Sequence, residues 1–355
     1  MPRIFACGGG SIGHLAPIVA VCQAICSRDP TAHVTIACAE QDHEQTFLRR
    51  YGFPPIPLPS PHSPLGFLRA IKKSFTLLRD RTPNVVFGKG GAVSLPICLA
   101  ARWKGIPIVI HESDAVMGRT NRFLSRIANV VCLGFPEAVS GERFAMSNNT
   151  ARYIVTGNPV RPEMARGSRE EGLRITQFSG KRPILLIIGG SQGAQAINEI
   201  IAALLPELTK FCDIIHITGP GKMPHATCHM PHAKAYWSIE YVHDELPHLY
   251  AITTIALSRA GAGVLSELAA NGIPSIVVPL RGLAQDHQWH NAQCFARQHA
   301  CILLEQECLT NLLIATIQRM IDHPTMCTEL RKRILSFYVP DAARHIAEII
   351  LKNIA

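Results

Sequence analysis

Charge is scarce in this chain. Only 17% of its residues are Asp, Glu, Lys or Arg against 47% hydrophobic, which excludes a disordered polymer and suits sheets buried on both faces. Aromatics are 6% and do not alternate with basic residues, so no stacking surface for single-stranded nucleic acid is expected, and no nucleic-acid partner. The twelve cysteines include no Cys-x-x-Cys pair. They sit in apolar runs such as Ile36-Ala37-Cys38-Ala39 and read as small buried hydrophobes of a reducing compartment. No apolar run approaches the ~18 residues of a spanning helix. The opening Met1 to Gly8 reaches glycine too soon to form the apolar core of a signal peptide. The expectation is a soluble protein, or one touching a membrane only at its surface.

What is present is a repeated plan. The 355 residues suit two domains, and Lys plus Arg exceed the acids by 35 to 26, a surplus suited to an anionic surface or a phosphorylated substrate. Arg3 to Cys7 leads into Gly8-Gly9-Gly10-Ser11-Ile12-Gly13-His14 and a helical stretch to Cys26. Ile184 to Ile188 leads into Gly189-Gly190-Ser191-Gln192-Gly193 and a helical stretch from Ala194 to Leu205. Strand, glycine turn, helix is the opening of a Rossmann-like half. Further strand candidates are Val85 to Phe87, Ile106 to Ile110, Ile214 to Thr218, Ile252 to Leu257 and Ser275 to Pro279. The pattern predicts an α/β fold: two Rossmann-like domains with parallel sheets facing across a cleft. Pro159 and Pro162 around Arg161 mark the boundary, followed by a loosely charged stretch to Arg182. The domains are expected at 1–160 and 161–339, with a last helix over 340–355 packing back on the first.

Glycines at a helix mouth leave backbone N–H groups approachable, which suits phosphate. The turns at 8–14, 88–91, 189–193 and 261–263 are more than one diphosphate needs, and suggest a diphosphate-bearing donor with a second anionic substrate opposite. Glu267, a lone acid behind Gly261-Ala262-Gly263, suits ribose hydroxyls. A dinucleotide fingerprint fits Gly8, Gly10 and Gly13 with Glu40 but leaves the second half unexplained, and Lys89 lacks the spacing of a P-loop. His225, Cys228, His229 and His232 are metal-ligand types at close spacing, yet no second pair stands nearby.

"GGSQGAQ" at 189–195, "TGNPVR" at 156–161, "SRAGAGVLSELAANGIPSIVVP" at 258–279, "GGGSIGHLAP" at 8–17, "HESDAVMGRTN" at 111–121 and "DHQWHNA" at 286–292 resemble the MurG family in order along nearly the whole chain. That resemblance implies a glycosyltransferase-B architecture. It also implies inverting transfer of N-acetylglucosamine from its UDP form to the 4-hydroxyl of undecaprenyl-pyrophosphoryl-muramoyl-pentapeptide, lipid I becoming lipid II. By position, Ser191 is expected on phosphate, Arg161 on the diphosphate or sugar, and Val242 on uracil through its backbone. Ala262, Gly263, Val264, Leu265 and Ser266 would cradle the diphosphate, with Glu267 on the ribose. Gln288 and Asn121 would hold the sugar, and Ser11, Ile12 and Gly13 would approach it from the other domain. The sequence has no Asp-x-Asp, the metal-diphosphate handle of the alternative sugar-transferase fold, so no metal or cofactor is expected. The chain departs from the family pattern at Ile12-Gly13-His14, at Ser113-Asp114 and at Ala92, all on the acceptor side.

Attack on the anomeric carbon needs a base on the acceptor side, and His14 at the first glycine mouth is the candidate. "PLGFLRAIKKSFTLLRDR" at 64–81 sets Leu65, Leu68, Ile71, Phe75 and Leu78 at helical spacing among basic residues. Leu68, Ile71, Lys72, Lys73 and Phe75 would meet an anionic membrane, or the helix packs on the sheet with a solvated basic face. The resemblance places the chain at the cytoplasmic face of the bacterial inner membrane, beside other cell-wall synthesis proteins. The alternatives are a related diacylglycerol glycosyltransferase and a sugar-nucleotide-binding scaffold without catalysis.

Overall fold

The computed structural model describes residues 1–139, 151–223, 234–282 and 284–354, and the chain divides into two compact units. The first is Met1–Arg161 with Val339–Ala355, and the second is Pro162–Tyr338.

In the first unit the strands β1 (Arg3–Cys7), β2 (His33–Ala39), β3 (Pro55–Leu58), β4 (Val85–Gly88), β5 (Ile108–Glu112), β6 (Val130–Leu133) and β7 (Arg152–Val155) form one sheet, ordered β3-β2-β1-β4-β5-β6-β7. Every pairing is parallel. Helices α1 (Ile12–Arg28), α2 (Asp42–Arg50), α3 (Pro64–Arg81), α4 (Gly91–Trp103) and α5 (Arg119–Leu124) connect them. Alternation along β1 explains the layering. Ile4 and Ala6 join Leu15, Ile18 and Cys22 of α1 on one face, and Phe5 and Cys7 join Val93, Ile97 and Leu78 on the other. Both faces are apolar, so the strands read as continuous hydrophobic runs.

The second unit repeats the wiring. Strands β8 (Ile184–Ile188), β9 (Asp213–Ile217), β10 (Tyr236–Ile239), β11 (Ile255–Ser258), β12 (Ser275–Val277) and β13 (Ile302–Leu303) are ordered β10-β9-β8-β11-β12-β13, again all parallel. Its α-helices among the described residues are α6 (Arg169–Thr176), α7 (Gln195–Leu208), α8 (Leu246–Ile252), α9 (Ala262–Ala270), α10 (His287–Arg297), α11 (Leu309–Asp322) and α12 (Pro324–Leu335). The last helix, α13 (Ala342–Lys352), belongs to the first unit, where Ile346, Ala347, Ile349 and Ile350 pack with Val21 and Ile25 of α1.

Several local expectations are corrected. The loosely charged stretch after Pro162 contains a helix, since Ser168 Oγ accepts from Glu171 N at 3.3 Å and caps α6. Ile252 closes α8 rather than opening a strand, and β11 starts at Ile255. His111 and Glu112 continue β5, pairing with Cys132 and Leu133. Among the described cysteines, Cys308 is exposed and Cys26 and Cys327 are half-buried, while burial pushes Cys38 and Cys132 up to about 12. The cluster from His225 to His232 lies outside the described residues.

Candidate active site

In each sheet the order reverses between two central strands, β1 and β4 in the first and β8 and β11 in the second. Ligands of doubly wound sheets bind at that switch, outside the carboxyl ends of the strands. The four glycine turns at 8–14, 88–91, 189–193 and 261–263 follow these four strands.

The first turn is shaped by Glu44, a fully buried acid on α2. Its Oε1 accepts from Gly10 N at 2.6 Å and its Oε2 from Ala39 N at 2.9 Å. A Cβ at Gly9 would lie 2.9 Å from both Oε2 and Ala39 N, so only glycine lets the carboxylate come so close. The Gly10 amide therefore serves the chain's own anion, against the expectation that this whole turn is offered to a substrate. Beyond it, Ser11 Oγ stands 3.1 Å from His14 Nδ1, and the Ser11 side chain does not cap α1. Ile12 is half-buried against the core, and Gly13 is exposed.

Around the second turn, Glu112 gathers backbone and side-chain donors. It accepts from Asp114 N and Gly118 N at 3.0 Å each and from Asn121 Nδ2 at 2.9 Å. Burial, reinforced by the Asp114 charge, raises its pKa. Lys89 is buried nearby and burial lowers its pKa. His111 has Nε2 3.2 Å from Gly157 O, and burial together with the Lys89 charge pushes it well below its usual range. Asn121 is 4% exposed, and its Oδ1 is buried without a hydrogen-bond partner. A buried acceptor left open is costly, and a hydroxyl donor would complete it. Arg161 belongs to the first unit. Its Nη1 donates to Tyr51 Oη, and its guanidinium lies 5.6 Å and 5.5 Å from the Phe47 and Tyr51 ring centres.

In the second unit the helices after β8 and β11 both start without a side-chain cap. Ala194 and Gly261 precede α7 and α9, and neither first turn carries an acid. Since β8 and β11 are paired strands, two positive helix ends stand at neighbouring positions. Ser191 is half-buried in the turn before α7. In α9 the expected cradle narrows. Leu265 N already donates to Gly261 O at 3.1 Å and its side chain is fully buried, while Ser266 Oγ donates to Ala262 O at 2.7 Å. The uncommitted start of the helix is Ala262, Gly263 and Val264. Glu267 follows, half-buried, its Oε2 accepting from Tyr250 Oη at 2.8 Å. Val242 is buried just beyond the edge strand β10, between Tyr241 and His243, whose rings are 4.5 Å apart. Gln288 Oε1 accepts from Leu280 N at 3.0 Å, which sets the side chain's orientation.

Residues 4–133 match the glycosyltransferase family 28 N-terminal domain and residues 184–346 its C-terminal domain. The chain belongs to glycosyltransferase family 28. A Bacillus cereus protein named UDP-N-acetylglucosamine--N-acetylmuramyl-(pentapeptide) pyrophosphoryl-undecaprenol N-acetylglucosamine transferase 2 is 31% identical over 98% of this chain and 100% of its own length. A Lachnoclostridium phytofermentans transferase of the same name, without the numeral, is 33% identical over 94% of each chain. The crystal structure of Acinetobacter baumannii MurG matches with a TM-score of 0.75 at 24% identity, covering 99% of this chain and 100% of that one. The two sheets are thus those of a glycosyltransferase-B fold.

Within this family 28 chain, the apolar stripe of α3 is not all on one surface. Ala70, Ser74 and Leu78 are the buried residues, and Ile71, Lys73 and Phe75 are half-buried. Leu65 and Leu68 are 59% and 64% exposed, and Lys72 is exposed. Trp103 at the end of α4 is 85% exposed, its ring edge-on to Phe75 at 6.4 Å. No described helix is long and apolar enough to cross a membrane. Sequence reasoning missed Glu44, Tyr250 and Trp103. Only Trp103 carried a signal, a large aromatic between Arg102 and Lys104 at a helix end.

Proposed function

We propose that this chain transfers N-acetylglucosamine from UDP-N-acetylglucosamine to the 4-hydroxyl of the muramoyl sugar of undecaprenyl-pyrophosphoryl-muramoyl-pentapeptide, forming lipid II with inversion. The observation that carries it is the pair of uncapped helix mouths after β8 and β11, with Glu267 one turn behind the second. Backbone N–H groups there, with Ser191, Ala262, Gly263 and Val264, suit a diphosphate, and Glu267 suits ribose hydroxyls. Val242 would meet uracil through its backbone. Gln288 and Asn121 would hold the sugar, the open Asn121 Oδ1 accepting a hydroxyl. Ser11, Ile12 and Gly13 would approach the same sugar, and Arg161 the diphosphate or sugar.

His14 is the base in this reading. For this, Nδ1–H donates to Ser11 Oγ, so Nε2 carries the ring's lone pair and takes the proton. The acceptor oxygen bonds the anomeric carbon as the bond to UDP breaks, and UDP leaves with the electron pair. Charge developing on the diphosphate meets the helix ends of the second unit. Leu65, Leu68 and Trp103, with Arg69, Lys72, Arg102 and Lys104 around them, suit peripheral contact with an anionic membrane at its cytoplasmic face, where a lipid-linked acceptor resides. Other cell-wall synthesis proteins are partners on the same reading.

The test is transfer of labelled N-acetylglucosamine from its UDP form to an extracted lipid acceptor. Label appearing in the lipid fraction supports the reading. Label appearing on diacylglycerol, or UDP bound without transfer, would overturn it in favour of the lipid glycosyltransferase or the inactive scaffold.

A further inference from the structure

The glycine turn before α7 is held from outside the helix by a connected set of groups. Gly193 has φ +68°, and a Cβ there would stand 2.2 Å from Thr218 O. Turn 189–193 therefore packs backbone to backbone on the segment leaving β9. Asn198, in the first turn of α7, donates through Nδ2 to that same Thr218 O at 2.8 Å and to Lys222 O at 2.9 Å. Lys222 answers in the other direction, its Nζ reaching Gln192 O at 2.7 Å and Gly193 O at 3.4 Å.

Behind Asn198 lies His216, fully buried on β9. Its Nε2 is 3.1 Å from Asn198 Oδ1 and its Nδ1 is 3.0 Å from Tyr236 Oη. Both Asn198 amide hydrogens are used on carbonyls, so its Oδ1 faces His216 and Nε2 carries the proton. Nδ1 then accepts from Tyr236 Oη. Burial holds the ring neutral, its pKa lowered to about 4, which keeps this one arrangement of donors throughout the neutral range. The side-chain amide is thereby fixed in one orientation, and so is the loop that carries Lys222.

The position of the ammonium has a consequence for the turn. In a trans peptide the C=O and N–H point in opposite directions. Drawing the Gly193 carbonyl to Lys222 turns the Ala194 N–H away from it, at the start of α7. A carbonyl dipole that would oppose an anion is drawn aside, and a cation lies beside the turn. We propose that Lys222, fixed from behind by Asn198 and His216, is a positioning residue for this turn and serves the phosphates of the nucleotide rather than its base or ribose. The proposal rests on the reading of the second unit as the donor site.

The experiment compares UDP with uridine, which lacks phosphate, by calorimetry on the full chain. Lys222→Met and Asn198→Ala are expected to weaken UDP about tenfold or more, the scale of a lost charged hydrogen bond, and to leave uridine unchanged. Lys222→Arg, which keeps the charge and two donors, should recover most of the loss. Equal losses for UDP and uridine, or an unchanged UDP affinity in Lys222→Met, would overturn the proposal. A wild-type chain that binds no UDP would instead sink the reading of the second unit, and this proposal with it.

Discussion

Glu44 Oε1 and the amide of Gly10 are joined at 2.6 Å, so a buried carboxylate from α2 is seated under the turn that leads to His14. With Oε2 bonded to Ala39 N, both oxygens tie backbone that the sheet would otherwise leave loose. Glu44→Ala strips acceptors from two backbone N–H groups. It is expected to lower stability by about 1–3 kcal/mol, read by denaturant unfolding. Turnover should fall with it while UDP affinity holds, since the nucleotide is assigned to the other unit. A variant with unchanged unfolding and unchanged turnover would remove Glu44 from this role.

Glu267 is oriented by Tyr250 and stands one turn into α9. Glu267→Ala should weaken UDP binding by roughly 1–3 kcal/mol, the cost of leaving ribose hydroxyls without their acceptor. Tyr250→Phe, which only loosens the carboxylate, should cost less. Calorimetry that finds Glu267→Ala indistinguishable from wild type takes the acid out of the ribose contact.

His14→Ala should lower turnover by about 100-fold or more, the usual scale for a lost general base, with UDP affinity nearly unchanged. Near-normal turnover at saturating acceptor would exclude His14, and Asp114 or Glu112 would become the next candidates. Of these, Glu112 is already committed to three donors.

Acid should weaken the second unit through His216. Its folded pKa, about 4, lies below the ordinary 6.5, so the unfolded chain takes up the proton first as pH falls. The stability is whole above about pH 6.5 and is lost progressively toward pH 4, about 3 kcal/mol in all at ~1.4 kcal/mol per unit. Buried His111 acts in the same sense and buried Glu112 in the opposite one. The measurement is therefore a difference: unfolding of wild type and His216→Gln between pH 7 and pH 4.5. The variant should show a shallower acid loss, and parallel curves would refute the assignment.

Membrane binding should depend on both apolar and basic groups beside α3. Replacing Leu68 and Trp103 by Ser, or reversing Lys72 and Lys73, should release the protein from anionic vesicles. Added salt should do so in part, because charges are screened beyond ~10 Å at 0.1 M. Flotation indifferent to all of these would leave α3 as a helix that simply packs on α4.

The fold was legible because its cause is local. Apolar runs ending in glycine turns mark β1, β4, β8 and β11, and the repeat of that punctuation marks two sheets. The helix over 64–81 was legible as well, its exposed and buried sides less so. Leu65 and Leu78 share a spacing but not an environment, since α4 covers only part of α3. The candidate site divides in the same way. Glu267 and His14 stand out as polar residues at glycine mouths, whereas Glu44 is 34 residues from the amide it holds. Asn198 and His216 are 18 apart and meet only because β9 lies beside β8. Contacts made by sheet pairing leave no periodicity to read.

The return of α13 to the first unit determines how the chain can be divided. A cut after Tyr338 would spare every strand of the second sheet and remove Ile346, Ile349 and Ile350, the residues that seal α1 on the first. The segment 1–161 made alone would expose that seam and aggregate, and a peptide spanning 339–355 added in trans should restore it. The first unit is thus completed by residues that follow the whole of the second, so on the ribosome it stays open until 162–338 has been translated and 339–355 has emerged.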